Sequence, residues 1–339
     1  MGTTKTGQLI PKVISGFLNF KTGHPKPLFV SYNVTSRCNM KCAFCEWWKH
    51  QIPELSTKKA LNAIDAVCNL GIPFFDLSGG EPLLRRDLFI LAKRVASYGC
   101  LVSMNTNGTL LTESNVSEVA NIFDTVVVSL DGPKEIHDKI RGVPGTYEKA
   151  TKAIQLLRKK GVKTGVNSVV TPLNIDILPK FIEELRSFAD FAQVQPMHPY
   201  PPSANNVPSD QQVTKLIDYL LNLKHSDPSF LAVPTEFIKG FKHFFAGKAP
   251  KICHAGELYL AINPEGKLLA CPARSDLLLG DTLSDSVKTV LKIRNSEGWR
   301  KISSCSGCWL ECTVGVSMVL KNPLKETPQL IDLWMQRKE

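Results

Sequence analysis

Apolar, β-branched runs alternate with amphipathic helical runs six times in the first two thirds of the chain, and that alternation leaves few folds open. Strand-like segments lie at 28–35 ("LFVSYNVT"), 74–80 ("FFDLSGG"), 101–108, 125–132, 163–170 and 191–197. Apolar positions spaced three and four apart mark helices at 57–71, 86–99, 112–123, 146–161, 177–187 and 210–224. Strand–helix repeats of this kind pair their strands in parallel through right-handed crossovers. The expectation is an α/β protein whose residues 28–230 form a partial (β/α)6 TIM barrel. The stretch 198–210 is rich in Pro, Asn and Ser and reads as a loop. Five of the ten cysteines fall from Cys253 onward, so 231–339 reads as a small cysteine-rich second domain and 1–27 as a basic N-terminal extension.

A chain of 339 residues with 43% hydrophobic content builds a sizeable core without staples. It has no uninterrupted apolar run of about 18 residues, so no membrane span is expected. Its N-terminus lacks the pattern of a signal peptide. Both point to the cytoplasm, where cysteines serve metals or catalysis more often than disulfides. The net charge of +10 is uneven: Lys5, Lys12, Lys21, Lys26, Arg37 and Lys41 precede the first acid, Glu46. Such a segment suits an anionic partner such as a membrane surface or an acidic substrate, or is a plain solvated face. No RNA-binding fold or aromatic platform accompanies the charge, so no nucleic-acid partner is expected.

Cys38, Cys42 and Cys45, spaced C-x3-C-x2-C in "SRCNMKCAFC", follow the first strand. Three thiolates suit neither a disulfide framework nor a closed four-ligand zinc site. On a [4Fe–4S] cube they leave one iron with an open position, as a metal that binds substrate or cofactor requires. The C-terminal ends of barrel strands are where such folds carry their chemistry. A zinc site that takes His50 as fourth ligand is the alternative on spacing alone.

The triad with Phe44 before its third Cys, "SGGEPLL" (78–84), "NTNG" (105–108), "VSLDG" (128–132) and "HDKIRG" (137–142) together resemble the radical S-adenosylmethionine (SAM) superfamily in type, order and spacing. The resemblance covers roughly 28–225. It implies that Cys38, Cys42 and Cys45 hold three irons, with SAM on the fourth. It places the backbone of Gly79, Gly80 and Glu81, ahead of Pro82, at the methionyl amine, with Glu81 shaping the turn. Ser129 and Arg141 are implied as carboxylate and ribose contacts, Arg suiting a bidentate grip on a carboxylate. Asn107 is implied at the ribose, with a turn role before Gly108 compatible with it. Asn167 and Met197 fall toward the adenosine portion. The implied chemistry is one-electron cleavage of SAM to a 5′-deoxyadenosyl radical, with an external flavodoxin- or ferredoxin-like electron donor.

A second set, Cys253, Cys271, Cys305, Cys308 and Cys312, brackets "LYLAINPEGKLLACP", which reads as a hairpin around "NPEG". The set is similar to the SPASM and twitch extensions that carry auxiliary [4Fe–4S] clusters. Five cysteines cannot fill two such clusters, so one is implied, with Cys253, Cys271, Cys305 and Cys308 as ligands and Cys312 as a replacement or spare. A zinc ribbon is the alternative. Cys68 and Cys100 read as buried small hydrophobes. Trp47 and Trp48 read as shields of the cysteine loop, as lining of the substrate mouth, or as core. His137 reads as a surface residue of a helix.

The substrate is less legible. About 27 residues precede the first strand, too few for the winged-helix domain with which radical SAM peptide maturases usually begin. Leu9, Ile10, Val13, Ile14, Phe17 and Leu18 share a helical face flanked by Lys12 and Lys21, with Pro11 suited to a first turn. Residues 9–21 are therefore read as a peripheral membrane contact, or as a helix packed across the barrel. Three readings follow: a radical SAM enzyme acting on a lipid or isoprenoid-like substrate; one acting on a peptide, a porphyrin or a small polar metabolite; and a non-catalytic iron–sulfur or zinc module.

Overall fold

The computed structural model describes residues 5–24, 26–45, 47–198, 207–294, 296–305 and 307–321. Six parallel strands form the barrel: β1 (Phe29–Thr35), β2 (Phe74–Gly79), β3 (Leu101–Thr106), β4 (Thr125–Ser129), β5 (Lys163–Val170) and β6 (Phe191–Pro196). After α1 (Lys5–Lys21), the crossovers are α2 (Thr57–Cys68), α3 (Leu88–Ser97), α4 (Val116–Ile122), the pair α5 (Lys134–Arg141) and α6 (Thr146–Lys159), α7 (Leu178–Leu185) and, after β6, α8 (Asp210–Ser226). The expected (β/α)6 order is present. The loop expected at 198–210 lies mostly outside the described residues.

Parallel pairing requires both faces of each strand to be covered. On the outer face Val30, Tyr32, Phe75, Leu77, Val102, Met104, Val126 and Val128 are buried under the helices in one continuous core. The inner face carries a different chemistry. Ser31, Asn33, Asp76, Ser103 and Asn105 alternate with those apolar residues and so point into the lumen. Only the lower lumen is apolar, closed by Phe191 with Val127 and by Tyr259 stacked on Phe29.

The sheet continues beyond the barrel. Short helices α9 (Thr235–Lys239) and α10 (Phe241–Phe245) lead to β7 (Tyr259–Ile262), which adds in parallel to β1. Strands β8 (Lys267–Leu269) and β9 (Leu278–Asp281) follow antiparallel, so the expected hairpin is present and nine strands share one sheet. Helices α11 (Val287–Ile293) and α12 (Glu297–Ser303) lead to a π-helical segment, Glu311–Gly315, and to α13 (Val316–Lys321). Trp309 anchors this end: it stacks on Phe237 and donates from Nε1 to the Phe237 carbonyl at 2.8 Å. The cysteine-rich region is thus built onto the barrel's first strand.

Helix α1 packs one face on this frame. Leu9 is buried, Phe17 and Phe20 meet Leu28 and Leu258, and Lys12 Nζ donates to the carbonyl of Tyr98 at 3.0 Å. Pro11 sits inside the helix rather than in its first turn. The apolar face expected as a single surface is split. Ile10, Ile14 and Leu18 point outward at 42%, 53% and 56% exposure. Among the described residues no helix is long and apolar enough to cross a membrane.

Candidate active site

The loop after β1 is held from three sides. From α5, the carbonyls of Arg141 and Ile140 accept Lys41 N–H at 3.1 Å and Ala43 N–H at 3.3 Å. Gly142, at φ +69°, ends that helix where an added Cβ would stand 2.5 Å from the Lys41 carbonyl oxygen, so the close approach requires glycine. From β2, Gly80 N–H and Glu81 N–H donate to the Thr35 and Arg37 carbonyls, each at 2.8 Å. A Cβ on Gly79 or Gly80 would strike those same carbonyls. From β3, Asn107 Nδ2 donates to Asn39 Oδ1 at 2.8 Å and approaches Cys38 Sγ at 4.0 Å.

Glu81 is fully buried and accepts from Thr106 Oγ1, Asn107 N–H and Leu83 N–H at 2.8 to 3.1 Å. Burial pushes its carboxyl up to about 7, against those hydrogen bonds, which favour the charged form. Its role here is to tie the ends of β2 and β3. Pro82 opens the following 3₁₀ turn, Pro82–Leu84. Arg85 ends that turn and spans Val34 O, Leu55 O and Asp87, so it locks the neighbourhood of β1.

Four donors aim at the sulfurs of the triad. Met40 N–H donates to Cys38 Sγ at 3.4 Å, Arg141 Nη1 points at Cys42 Sγ at 3.8 Å, and the Trp47 and Trp48 backbone N–H groups face Cys45. Cys42 is 7% exposed; burial raises all three thiols, Cys38 to about 11. Thiols that are costly to ionise, yet surrounded by N–H donors, suit ligation to a cation that offsets the desolvation. Phe44 lies under the Arg141 guanidinium at 5.4 Å. Trp47 and Trp48 are half-exposed rather than core, with Trp48 Nε1 donating to Cys42 O at 3.3 Å. His50 is exposed.

The fork of Arg141, implied for a ligand carboxylate, is occupied. Nε and Nη2 donate to the two oxygens of buried Asp131 at 2.6 and 3.0 Å. Asp131 was within the quoted "VSLDG" yet went unremarked; it also accepts Val169 N–H at 3.0 Å. His137 is buried rather than on the surface: its Nδ1 accepts the Asp131 N–H at 3.1 Å, and burial holds its ring down to about 4. Asn107 is likewise engaged, its Oδ1 accepting from Thr109 N–H and Oγ1. Ser129 and Asn167 face each other, half-buried, across β4 and β5. Met197, also half-buried, follows β6 and donates its N–H to Val170 O.

The second set of cysteines is gathered by the C-terminal strands. Cys253, Cys271, Cys305 and Cys308 lie close enough to perturb one another, and Cys312 lies close to Cys271, Cys308 and Cys253. Burial pushes Cys271 up to about 12 and Cys308 to about 11. Arg274 Nη1 points at Cys305 Sγ at 3.8 Å. The Thr313 hydroxyl, buried beside Cys253 and Cys308, has no hydrogen-bond partner within normal range among the described residues. A buried hydroxyl turned toward the sulfurs of Cys253 and Cys308 suits a sulfur-ligated group there. Among the described residues no three His, Cys, Asp or Glu side chains are drawn round a point that one ion would fill, so the fit rests on the donor sets. Cys68 and Cys100 sit side by side in the outer core, as small hydrophobes do.

A barrel with a triad of thiols at the mouth and a cysteine-rich sheet extension defines a class. Residues 32–185 match the Radical SAM superfamily. The matched stretch holds the thiol triad, the Gly79–Gly80 turn and Arg141, and the family it matches is one of enzymes that use a [4Fe–4S] cluster and SAM. The chain is similar to pre-heme d1 synthase of Dinoroseobacter shibae, 37% identical over 48% of this chain and 41% of that protein. It thus spans less than half the length of that relative. It is also similar to the mycofactocin maturase MftC of Mycolicibacterium smegmatis, 26% identical over 82% of this chain and 72% of that protein. Among solved structures, anSMEcpe with bound AdoMet and Cp18Cys peptide shares the fold at TM-score 0.65 and 20% identity, covering 91% of this chain and 99% of that one. SuiB of Streptococcus suis bound to S-adenosylmethionine does so at 0.66 and 17%, covering 92% and 78%.

Proposed function

We propose that the protein is a radical SAM enzyme acting on a polar substrate, of peptide or porphyrin type rather than lipid. The observation that carries the substrate class is the polar lumen, with Asn33, Asp76, Asn105, Gln193 and Gln195 on the inward faces of its strands and Glu311 beside Asp76. An isoprenoid chain in that space would leave Asn33 and Glu311 without partners, which is costly. The likeness to MftC, over most of this chain, supports the peptide arm.

Cys38, Cys42 and Cys45 would hold the cluster, with SAM beside Gly79, Gly80 and Pro82 and toward Ser129, Asn167 and Met197. When bound, the pair supplies a one-electron cleavage of the sulfonium that yields a 5′-deoxyadenosyl radical able to take hydrogen from an unactivated carbon. The chain's own residues prepare that site. Arg141 holds Cys42 and is itself held by Asp131. Glu81 fixes the turn that brings the Gly79–Gly80 backbone to the loop. Asn107 fixes Asn39 and Cys38. Cys253, Cys271, Cys305 and Cys308 would hold one auxiliary [4Fe–4S] cluster, with Cys312 adjoining. A flavodoxin- or ferredoxin-like donor would supply the electron.

The test is release of 5′-deoxyadenosine by the anaerobic, reduced enzyme, with a total lipid extract set against a polar extract of the same source. Stimulation by the polar fraction is expected. Stimulation by lipid alone would overturn the substrate class, and no SAM cleavage under strong reductant would overturn the enzyme reading. A second, independent reading concerns location. The outward stripe Ile10, Ile14 and Leu18, on a segment without acids before Glu46, supports peripheral contact with an anionic membrane.

A further inference from the structure

The polar side chains of the lumen are not equally occupied. Asp76 accepts from Ser103 Oγ and Asn105 Nδ2, each at 2.8 Å, and from Ser31 Oγ at 3.3 Å. Its hydrogen-bonding capacity is largely filled. Beside it lies Glu311, carried by the π-helical segment. Glu311 is anchored by its backbone, whose N–H donates to Gln195 Oε1 at 3.4 Å. Its side chain folds against Gly315, where a Cβ would stand 3.3 Å from Oε1. The carboxylate itself makes no hydrogen bond or ion pair among the described residues.

The second unoccupied group is on β1. Asn33 lies one pleat above Ser31 on the same face of β1, and Ser31 reaches Asp76 across the lumen face. Asn33 is 5% exposed, and its Nδ2 has no partner among the described residues. A buried amide donor left unpaired is disfavoured and in native proteins usually marks a missing ligand or water. Among the described residues, Asn33 Nδ2 on β1 and the Glu311 carboxylate on the π-helical segment are thus an unfilled donor and an unfilled acceptor.

Resting on the polar-substrate reading above, we infer that Asn33 and Glu311 form a substrate subsite for a secondary amide. Asn33 Nδ2–H donates to the amide oxygen, and the Glu311 carboxylate accepts the amide N–H. An ammonium group would satisfy Glu311 and leave Asn33 unpaired. A carboxylate would do the reverse and repel Glu311. A hydroxyl offers both functions from one atom, whereas an amide offers them from opposite edges, which suits partners that rise from different elements. Both residues position substrate and take no part in SAM cleavage.

The test uses the reconstituted holoenzyme with SAM and a matched pair of probes, N-methylbutanamide and methyl butanoate, titrated by saturation-transfer NMR. The ester keeps the carbonyl and lacks the N–H. The amide is expected to bind about tenfold or more tightly than the ester, because a site built for an N–H rejects an analogue without one. Glu311→Leu and Asn33→Ala are each expected to weaken the amide by a similar factor. Asn33→Asp, which turns the donor into an acceptor, is expected to weaken it at least as much. Melting curves establish that each variant is folded. Equal binding of amide and ester, or folded variants that bind like wild type, would overturn the subsite. Binding needs no turnover, so this result is separate from SAM cleavage by the wild-type enzyme, on which the functional reading stands.

Discussion

Arg141 closes a two-point fork on Asp131 and turns its third nitrogen to the sulfur of Cys42, so one guanidinium joins the end of β4 to the cysteine loop. Breaking a buried pair by removing one partner leaves an uncompensated charge. Asp131→Asn is therefore expected to cost about 3–5 kcal/mol in urea unfolding of the apoprotein. A loss below about 1 kcal/mol, the range of exposed pairs, would show that the fork is solvated.

Asp76 gives the fold a pH dependence of unusual sign. Burial pushes its carboxyl up to about 6, above the value of about 3.9 in an unfolded chain. The folded state then holds the proton more tightly. The contribution is fully present below about pH 4 and is lost as pH rises through about 6. Relative to Asp76→Asn, the wild-type chain is expected to lose roughly 2–3 kcal/mol between pH 4 and 7. Denaturant melts across that range measure it; a flat difference would mean that Asp76 stays ionised.

Two glycines with nearly the same positive φ, yet set in different surroundings, separate backbone strain from loop closure. Gly142 (φ +69°) meets the Lys41 carbonyl, whereas Gly145 (φ +76°) has nothing within 4 Å of a Cβ. Both alanine variants bear a strain of roughly 1–2 kcal/mol. Only Gly142→Ala is expected to displace the cysteine loop, lowering iron from about eight to about four per chain after reconstitution. Equal iron in both variants would detach Gly142 from the site.

The outward stripe of α1 predicts binding to anionic vesicles that falls with salt. Ile14→Glu with Leu18→Glu is expected to abolish most sedimentation of the protein with such vesicles. Wild-type protein that stays in the supernatant at low salt would remove the membrane reading.

Much of the frame was legible because its cause is local. The six strands and their helices follow from apolar period, and the structure keeps the expected segments to within a few residues at most ends. The start of α4 moved from Thr112 to Val116 because Asn115 Oδ1 captures Thr112 N–H in a turn. The positions of Gly79, Gly80 and Gly142 could be named from motifs, since glycine is needed wherever two backbones meet. Pairings between distant residues could not be named. The sequence assigns Arg141 to a ligand's carboxylate or ribose and His137 to the surface, because it does not show that Asp131 is enclosed between them.

The sequence by itself determined the barrel order, the thiol triad at the end of the first strand, and the hairpin between Cys253 and Cys271. These depend on spacing and periodicity, which are properties of neighbours along the chain. Tertiary structure alone decided that β7 adds to β1, that α1 divides its apolar residues between the barrel and solvent, and that Glu311 meets Asp76. Those outcomes depend on which surfaces remain unburied once the barrel has formed, a quantity set by the whole fold rather than by any stretch of it.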